Sequence, residues 1–213
     1  MANNTAMYGF RWVGGTRVER EFFVKDSATM QDDGSNNVDL QVGDPVLFTV
    51  DGTVNIALQA SLVFGVCTAV NGVYDSNNGT YGPSNRVPNG ATGAGVYDRR
   101  TRVMVTLAPG AIWEVDVDDA VTATTQDAYT LLSGGNYIVG TTTRAARYGG
   151  YAIYPKIDIS APATTHSHAW RMLAVSKSLA NKDFSGSNVK ILVMANAMSN
   201  AGMPATMVLG QTT

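Results

Sequence analysis

Short strand-like segments, each ended by Gly, Pro, Asn or Ser, recur along the whole chain. Roughly ten such segments fit within the 213 residues, and this spacing of turn signals is typical of an all-β sandwich or barrel. The composition agrees, because 24 Val and 22 Thr stand against 11 Leu, 5 Lys and 3 Glu, and Val and Thr favour a pleated surface over a helix. The sequence therefore predicts an all-β chain: an antiparallel β-barrel or sandwich with extended N- and C-terminal arms and little helix.

Three local patterns predict individual strands and turns. Asp51-Gly52 tolerates the positive backbone angles of a tight turn and separates two apolar runs, so it is the strongest hairpin signal in the chain. Ala108-Pro109-Gly110 separates the run TRVMVTL from IWEVD, and we expect a second hairpin there. The run from Leu62 to Val70 is nearly all apolar, which predicts a strand buried on both faces.

No linker divides the chain, but segments of different character can be separated. Residues 1–15 carry aromatic side chains and close on Gly14-Gly15, so they are predicted to form an N-terminal arm. Residues 16–198 are predicted to form the β-rich body, in which the Gly- and Asn-rich residues 71–100 make a long loop insertion. Residues 199–213 are predicted to form a C-terminal tail.

The charge of the chain is low and evenly spread. Fifteen basic and seventeen acidic residues leave no positive field for a phosphate backbone, so no direct nucleic-acid partner is expected. No apolar run reaches the roughly 18 residues of a membrane span, and the N-terminus lacks the basic and apolar segments of a signal peptide. We therefore expect synthesis in a reducing cytoplasm, with the single cysteine, Cys67, as a small buried hydrophobe.

Residues that could carry catalysis are few. His166 and His168 would share one face of a strand, but no Cys or third His completes a metal site, so hydrogen-bonded or solvated histidines are the preferred interpretation. Asp116, Asp118 and Asp119 lack the Gly and the terminal Glu of a calcium loop and are expected in a solvated turn. No nucleophile elbow and no phosphate-binding loop occurs in the sequence. The sequence predicts no enzyme, no cofactor and no metal.

Aromatic side chains instead indicate contacts with other chains. Tyr, Trp and Arg dominate binding hot spots, and a Gly/Asn-rich loop that carries tyrosines is typical of a binding loop. The rings of the N-terminal arm have one alternative, which is to fold back onto the chain's own core. The predicted interface residues are Tyr8, Phe10, Arg11 and Trp12 of the arm, Tyr74, Tyr81 and Tyr97 of the loop, and Met203 and Met207 of the tail.

Four pieces of the chain, taken in order, form a pattern that covers most of residues 2–196. They are Ala2-Asn3 through Tyr8-Gly9-Phe10-Arg11, then Val42-Gly43-Asp44-Pro45-Val46 followed by Phe64-Gly65-Val66, then Arg102-Val103-Met104-Val105 through Ile112-Trp113-Glu114-Val115, and finally Trp170–Val175 with Val189–Asn196. In this order the pieces resemble the head decoration, or cement, proteins of tailed bacteriophages. The resemblance rests on the order of the pieces.

The resemblance implies a non-enzymatic virion structural protein that binds the outer surface of a phage head and stabilises it. Its implied partner is the major capsid protein, and it implies a homotrimer on the phage head surface, made in the host bacterial cytoplasm. Two alternatives stay open. One is a carbohydrate- or receptor-binding β module of a virion tail or fibre, whose tyrosines stack on sugars. The other is a β-sandwich hydrolase, because seventeen acidic residues could supply a carboxylate pair.

Overall fold

The computed structural model describes residues 9–24, 40–57, 63–75, 80–82, 86–87, 101–118, 125–140, 155–163, 168–179, 181, 183–185 and 188–196. Strands dominate these residues, with one short helix. The strands are β1 (Arg11–Gly15), β2 (Glu19–Phe23), β3 (Leu40–Gln41), β4 (Pro45–Phe48), β5 (Val54–Ile56), β6 (Gly65–Asp75), β7 (Thr80–Gly82), β8 (Arg86–Val87), β9 (Arg102–Leu107), β10 (Ala111–Asp116), β11 (Asn136–Val139), β12 (Ile157–Ala163), β13 (Trp170–Val175) and β14 (Lys190–Ala195), and the helix is α1 (Gln126–Leu131).

Two antiparallel sheets contain most of the described chain. Sheet A has the strand order β1-β10-β14-β13-β11-β12, and sheet B has the order β2-β9-β6-β4-β5 with β7 paired to β6. In sheet B a single parallel bridge joins Val24, directly after β2, to Val54 of β5. In sheet A a second one joins Val117, directly after β10, to Ile157 of β12. Both sheets are therefore curled without closing into barrels. The all-β prediction is confirmed, and the arrangement is that of a sandwich.

The predicted Asp51-Gly52 hairpin is confirmed. Strands β4 and β5 pair in antiparallel register on either side of it, and Gly52 has a φ of +84°. The hydroxyl groups of Thr49 and Thr53 donate hydrogen bonds to the Asp51 carboxylate, which lowers the pKa of Asp51 to about 2. The turn is therefore held by side chains as well as by its backbone geometry.

A bent two-stranded ribbon joins the two sheets. One side of the ribbon runs from β1 into β2, and the other runs from β9 into β10. Its ladder begins in sheet A with Arg11 opposite Glu114 and ends in sheet B with Phe23 opposite Arg102. Strands β9 and β10 therefore lie in different sheets and do not pair with each other, so the hairpin predicted around residues 108–110 is wrong. The chain turns a corner at this point and does not reverse.

The corner of the ribbon depends on Gly15 and Gly110, which face each other. Gly15 has a φ of +72°, and a Cβ atom added there would collide with the carbonyl oxygen of Gly110. The Thr16 N–H donates to that same oxygen at 2.8 Å, which continues the ladder through the bend. Only a residue without a side chain permits both the positive φ and this close approach.

We expect Gly15→Ala to lower the free energy of unfolding by about 2 kcal/mol or more, because it adds backbone strain and a collision with Gly110. Gly14→Ala is the matched control, since no atom lies within 4 Å of the added methyl group and Gly14 has no positive φ. Urea unfolding of the two variants followed by circular dichroism measures the difference. Equal stability of the two variants would contradict this account of the corner.

Two hydrophobic clusters fill the fold: one lies mainly on sheet A and also includes Val66 of β6, and the other lies mainly on sheet B. The cluster inside sheet A contains the fully buried Trp113 and Trp170, together with Tyr129 from α1. The cluster inside sheet B contains valines from its strands and Cys67, whose side chain is fully buried. The prediction that Cys67 is a small buried hydrophobe is confirmed, and burial raises the pKa of its thiol.

Part of the predicted loop insertion, residues 71–100, is strand. Strand β6 continues to Asp75, and β7 and β8 also fall in this range. The reason is packing: Val73 and Tyr74 are buried, and the Tyr74 N–H donates to the Thr101 hydroxyl at 3.1 Å. Residues 76–79, 83–85 and 88–100 lie outside the described residues.

Candidate interaction surface

The predicted interface residues of the N-terminal arm lie in and against sheet A. The Phe10 ring is 2% exposed and stacks on Trp170, with 4.3 Å between the ring centroids, and the Phe10 N–H donates to the Gly43 carbonyl at 3.0 Å. Trp12 packs partly buried against the same cluster, and the Arg17 guanidinium lies 5.2 Å from its ring centroid. The Phe10 ring therefore folds onto the chain's own core, which is the alternative interpretation given above for the rings of the arm. This part of the predicted arm belongs to the body.

Arg11 joins a polar network on the other face of sheet A. Its guanidinium pairs with Glu114, whose carboxylate also accepts a hydrogen bond from the Ser176 hydroxyl. Asp116, which lies two residues beyond Glu114 on β10, forms an ion pair with Lys190, with 3.0 Å between Oδ1 and Nζ. The side chains of Asp116 and Lys190 are only 2% and 8% exposed. The expectation of a solvated turn is therefore wrong for Asp116, because Lys190 stands directly opposite it on β14. These contacts connect β1, β10 and β14 with Ser176, the residue that follows β13.

The other residues singled out by sequence are scattered or lie outside the described residues. Tyr74 is 9% exposed, so its ring is not an open platform for a sugar. Tyr81 stands opposite Tyr74 in the β6–β7 ladder. The His168 Nδ1 atom lies 3.1 Å from the Asn136 carbonyl oxygen, as expected of a hydrogen-bonded histidine. The predicted residues outside the described chain are Tyr8, Tyr97, Asp119, His166, Met203 and Met207.

The surface that sequence reasoning missed is the outer edge of β2, the end strand of sheet B. The Val18 carbonyl and the Val24 N–H both bond toward the β9 side of the ribbon. Because bonding direction alternates along an antiparallel strand, the N–H and C=O groups of Glu19, Glu21 and Phe23 point away from β9. Among the described residues the strand order of sheet B ends at β2, and the single parallel bridge between Val24 and Val54 brings β5 to the far end of this edge.

Three half-buried phenylalanine rings lie beside the β2 edge, on its inner face. The centroids of Phe22, Phe48 and Phe64 are 5.0 to 5.8 Å apart, and the three rings border the cluster of sheet B. On the opposite face of β2 the Phe23 ring is 44% exposed, and the Arg102 guanidinium lies over it. A backbone edge that β5 meets only at its Val24 end, with apolar rings beside it, can accept an extended segment by strand addition.

The β2 edge also carries a short run of alternating charges, Glu19, Arg20 and Glu21. Hydrogen bonds from Arg17 hold the pKa of Glu19 below its ordinary value, so its carboxylate is ionised at neutral pH. Glu21 accepts a hydrogen bond from Asn71 at 2.8 Å and lies 3.4 Å from Arg102. Charges on an edge strand restrict which strands can pair with it. The edge is therefore selective.

Other kinds of site find little support in the described part of the chain. Its His, Cys, Asp and Glu side chains form no group of three that could hold a metal ion. Within the same residues, no helix has the length and apolar character needed to cross a membrane. Comparison of the chain with protein-family models, with curated proteins and with solved structures gives no match.

Proposed function

We propose that the protein is a virion structural protein that binds the outer surface of a phage head as a decoration or cement protein and stabilises it. The β2 edge carries the proposal, because its outward backbone groups and the phenylalanine rings beside it suit a contact with another chain of the shell. That chain is either the major capsid protein or a second protomer of a homotrimer. The order of the four sequence pieces that resemble decoration proteins supports the same function.

Two general properties of the chain fit a role in many copies on one shell. Charged residues make up only 15% of the chain, and low charge limits the repulsion that accumulates when identical surfaces crowd together. Contacts repeated around an oligomer also add through effective concentration, so each single contact can be modest. The proposed protein needs no catalytic group, and its function resides in its surfaces.

The test of this function is binding to phage heads that lack decoration. Purified protein mixed with such heads is expected to sediment with them, and the decorated heads are expected to release their DNA at a higher temperature than bare heads. A second phage's heads, with an unrelated capsid protein, serve as the control for nonspecific adsorption. Protein that stays in the supernatant and leaves the heat resistance unchanged would overturn the proposal.

A further inference from the structure

We propose that Lys156 and Asn188 react with each other to form an amide bond between their side chains. The Lys156 Nζ atom donates a hydrogen bond to the Asn188 Oδ1 atom at 2.6 Å, and both residues are half-buried. They are 32 positions apart, so the bond ties together two segments that are distant in the chain. The bond lies within one chain and is independent of the proposed binding to phage heads.

The two residues stand on either side of a seam in sheet A. The seam lies between the end of β10 and the start of β12, where a single parallel bridge pairs Val117 with Ile157. Lys156 directly precedes Ile157, and β14 begins two residues after Asn188. Because β14 pairs with the other side of β10, a bond from Lys156 to Asn188 passes over the end of β10 and closes the seam.

Asp118 lies in the seam, next to both reacting residues. On the β12 side its N–H donates to the Ile157 carbonyl at 3.0 Å. On the β14 side the Val117 N–H donates to the Val189 carbonyl at 2.9 Å. The next step of the antiparallel β10–β14 register therefore places Asp118 opposite Asn188. Residue 118 is held by backbone hydrogen bonds between the two sides that the amide bond joins.

Gly140 shows where the Asp118 carboxylate lies. The Gly140 N–H donates to the Lys156 carbonyl at 2.9 Å, so the two residues are neighbours across β11 and β12. A Cβ atom added at Gly140 would lie 3.5 Å from the Cβ of Asp158 and would collide with Oδ2 of Asp118. Asp158 and Lys156 share one face, because alternate residues of an extended segment point the same way. The Asp118 carboxylate therefore lies over Gly140, on the face from which Lys156 extends.

Buried apolar side chains surround this polar group of residues. Val117, Ile157 and Val189 are each 0% exposed, and each is the immediate chain neighbour of one of the three polar residues. Asn188 also has a φ of +66°, a left-handed conformation that Asn adopts more readily than most side chains. The apolar surroundings limit the access of water, which favours attack by the amine over hydrolysis of the carboxamide.

The reaction joins Nζ of Lys156 to Cγ of Asn188 and releases ammonia. The Asp118 carboxylate takes a proton from the ammonium group, and the amine attacks Cγ. The bond between Cγ and Nδ2 then breaks, and Asp118 passes its proton to Nδ2, which leaves as ammonia. Nζ gives a second proton to solvent. The products are one secondary amide, ammonia and a proton, so the chain loses one positive charge and no oxidant is needed.

Intact mass under denaturing conditions tests the bond directly. The wild-type chain is expected to be lighter than its own sequence by one ammonia molecule, and digestion is expected to give a branched peptide that contains both side chains. Lys156→Arg keeps a cationic donor but forms no amide, and Asn188→Gly suits the positive φ but lacks the carboxamide. Both variants are expected to have their full sequence mass. A wild-type chain of full mass, or a loss of ammonia that persists in both variants, would overturn the inference.

Two carboxylates on the same face separate proton transfer by Asp118 from a general effect of charge. Asp118→Asn is expected to slow the loss of ammonia at least about a hundredfold, because the proton carrier is removed. Asp158→Asn is the matched control, since the Asp158 carboxylate accepts hydrogen bonds from the N–H and the hydroxyl of Ser160 at 2.8 and 2.6 Å. It is expected to react as fast as the wild type. Equal fractions of cross-linked chain in the two variants, at fixed times after synthesis, would contradict the role of Asp118.

Thermal unfolding measures what the bond does for sheet A. A covalent link between residues 156 and 188 reduces the conformational freedom of the unfolded chain, so the Tm of the wild type is expected to exceed that of Lys156→Arg by about 5–10 °C. Lys177→Arg changes an exposed lysine outside the seam and is expected to keep the Tm of the wild type. A Lys156→Arg chain that unfolds at the wild-type temperature would count against a bond that closes the seam.

Discussion

Asp116→Ala is expected to lower the free energy of unfolding by about 3–5 kcal/mol, one of the two largest effects expected for a single change in this chain. The carboxylate and its partner Lys190 are almost fully buried, with side chains 2% and 8% exposed. Removing the carboxylate takes away the ion pair at 3.0 Å and leaves the Lys190 ammonium in an almost fully buried position. The cost is therefore dominated by the desolvated charge that remains and not by the lost attraction.

The double variant Asp116→Leu/Lys190→Met separates these two contributions. It removes both charges and leaves apolar side chains of similar volume between β10 and β14, so it is expected to recover most of the loss seen in Asp116→Ala. Urea unfolding at neutral pH measures all three proteins. A double variant as unstable as the single one would mean that the ion pair itself, with its directed hydrogen bonds, supplies the stability of this part of sheet A.

The class of the fold could be predicted from sequence, but the path of the chain could not. Val- and Thr-rich segments separated by turn residues are enough to predict antiparallel sheets. The Asp51-Gly52 hairpin is predictable because these two residues by themselves adopt the backbone angles of a tight turn. The Pro109-Gly110 turn is different, since the same residues can reverse a chain or bend it. What decides is the approach of Gly15 to the Gly110 carbonyl, a contact between residues far apart in sequence. The sequence around Pro109-Gly110 therefore does not predict this contact.

The candidate surface was hidden for a similar reason. Whether a strand lies at the edge of a sheet depends on the strand order, and no residue of β2 encodes that order by itself. The adjacent Phe22 and Phe23 are the one available signal, because neighbouring residues of a strand face opposite sides and one of two such rings must face outward. The N-terminal arm is the opposite case, because its sequence suggested an exposed contact surface, whereas its Phe10 ring is buried. Its Phe10 ring is satisfied by Trp170, which no local pattern connects with it.

Phe10→Ala is the sharpest test of this assignment of the arm to the core, and it is expected to cost about 3–5 kcal/mol of unfolding free energy. The ring is 2% exposed and stacked on Trp170, so truncation removes buried area and opens a cavity beside a fully buried indole. Val13→Ala in the adjoining strand β1 is the control, because Val13 is 40% exposed and its truncation is expected to cost less than about 1 kcal/mol. Thermal and urea unfolding, with Trp fluorescence as the probe of sheet A, measure both variants. If Phe10→Ala unfolds like the wild type, the ring does not belong to the core of the body, and the N-terminal segment regains its role as an arm for contacts with other chains.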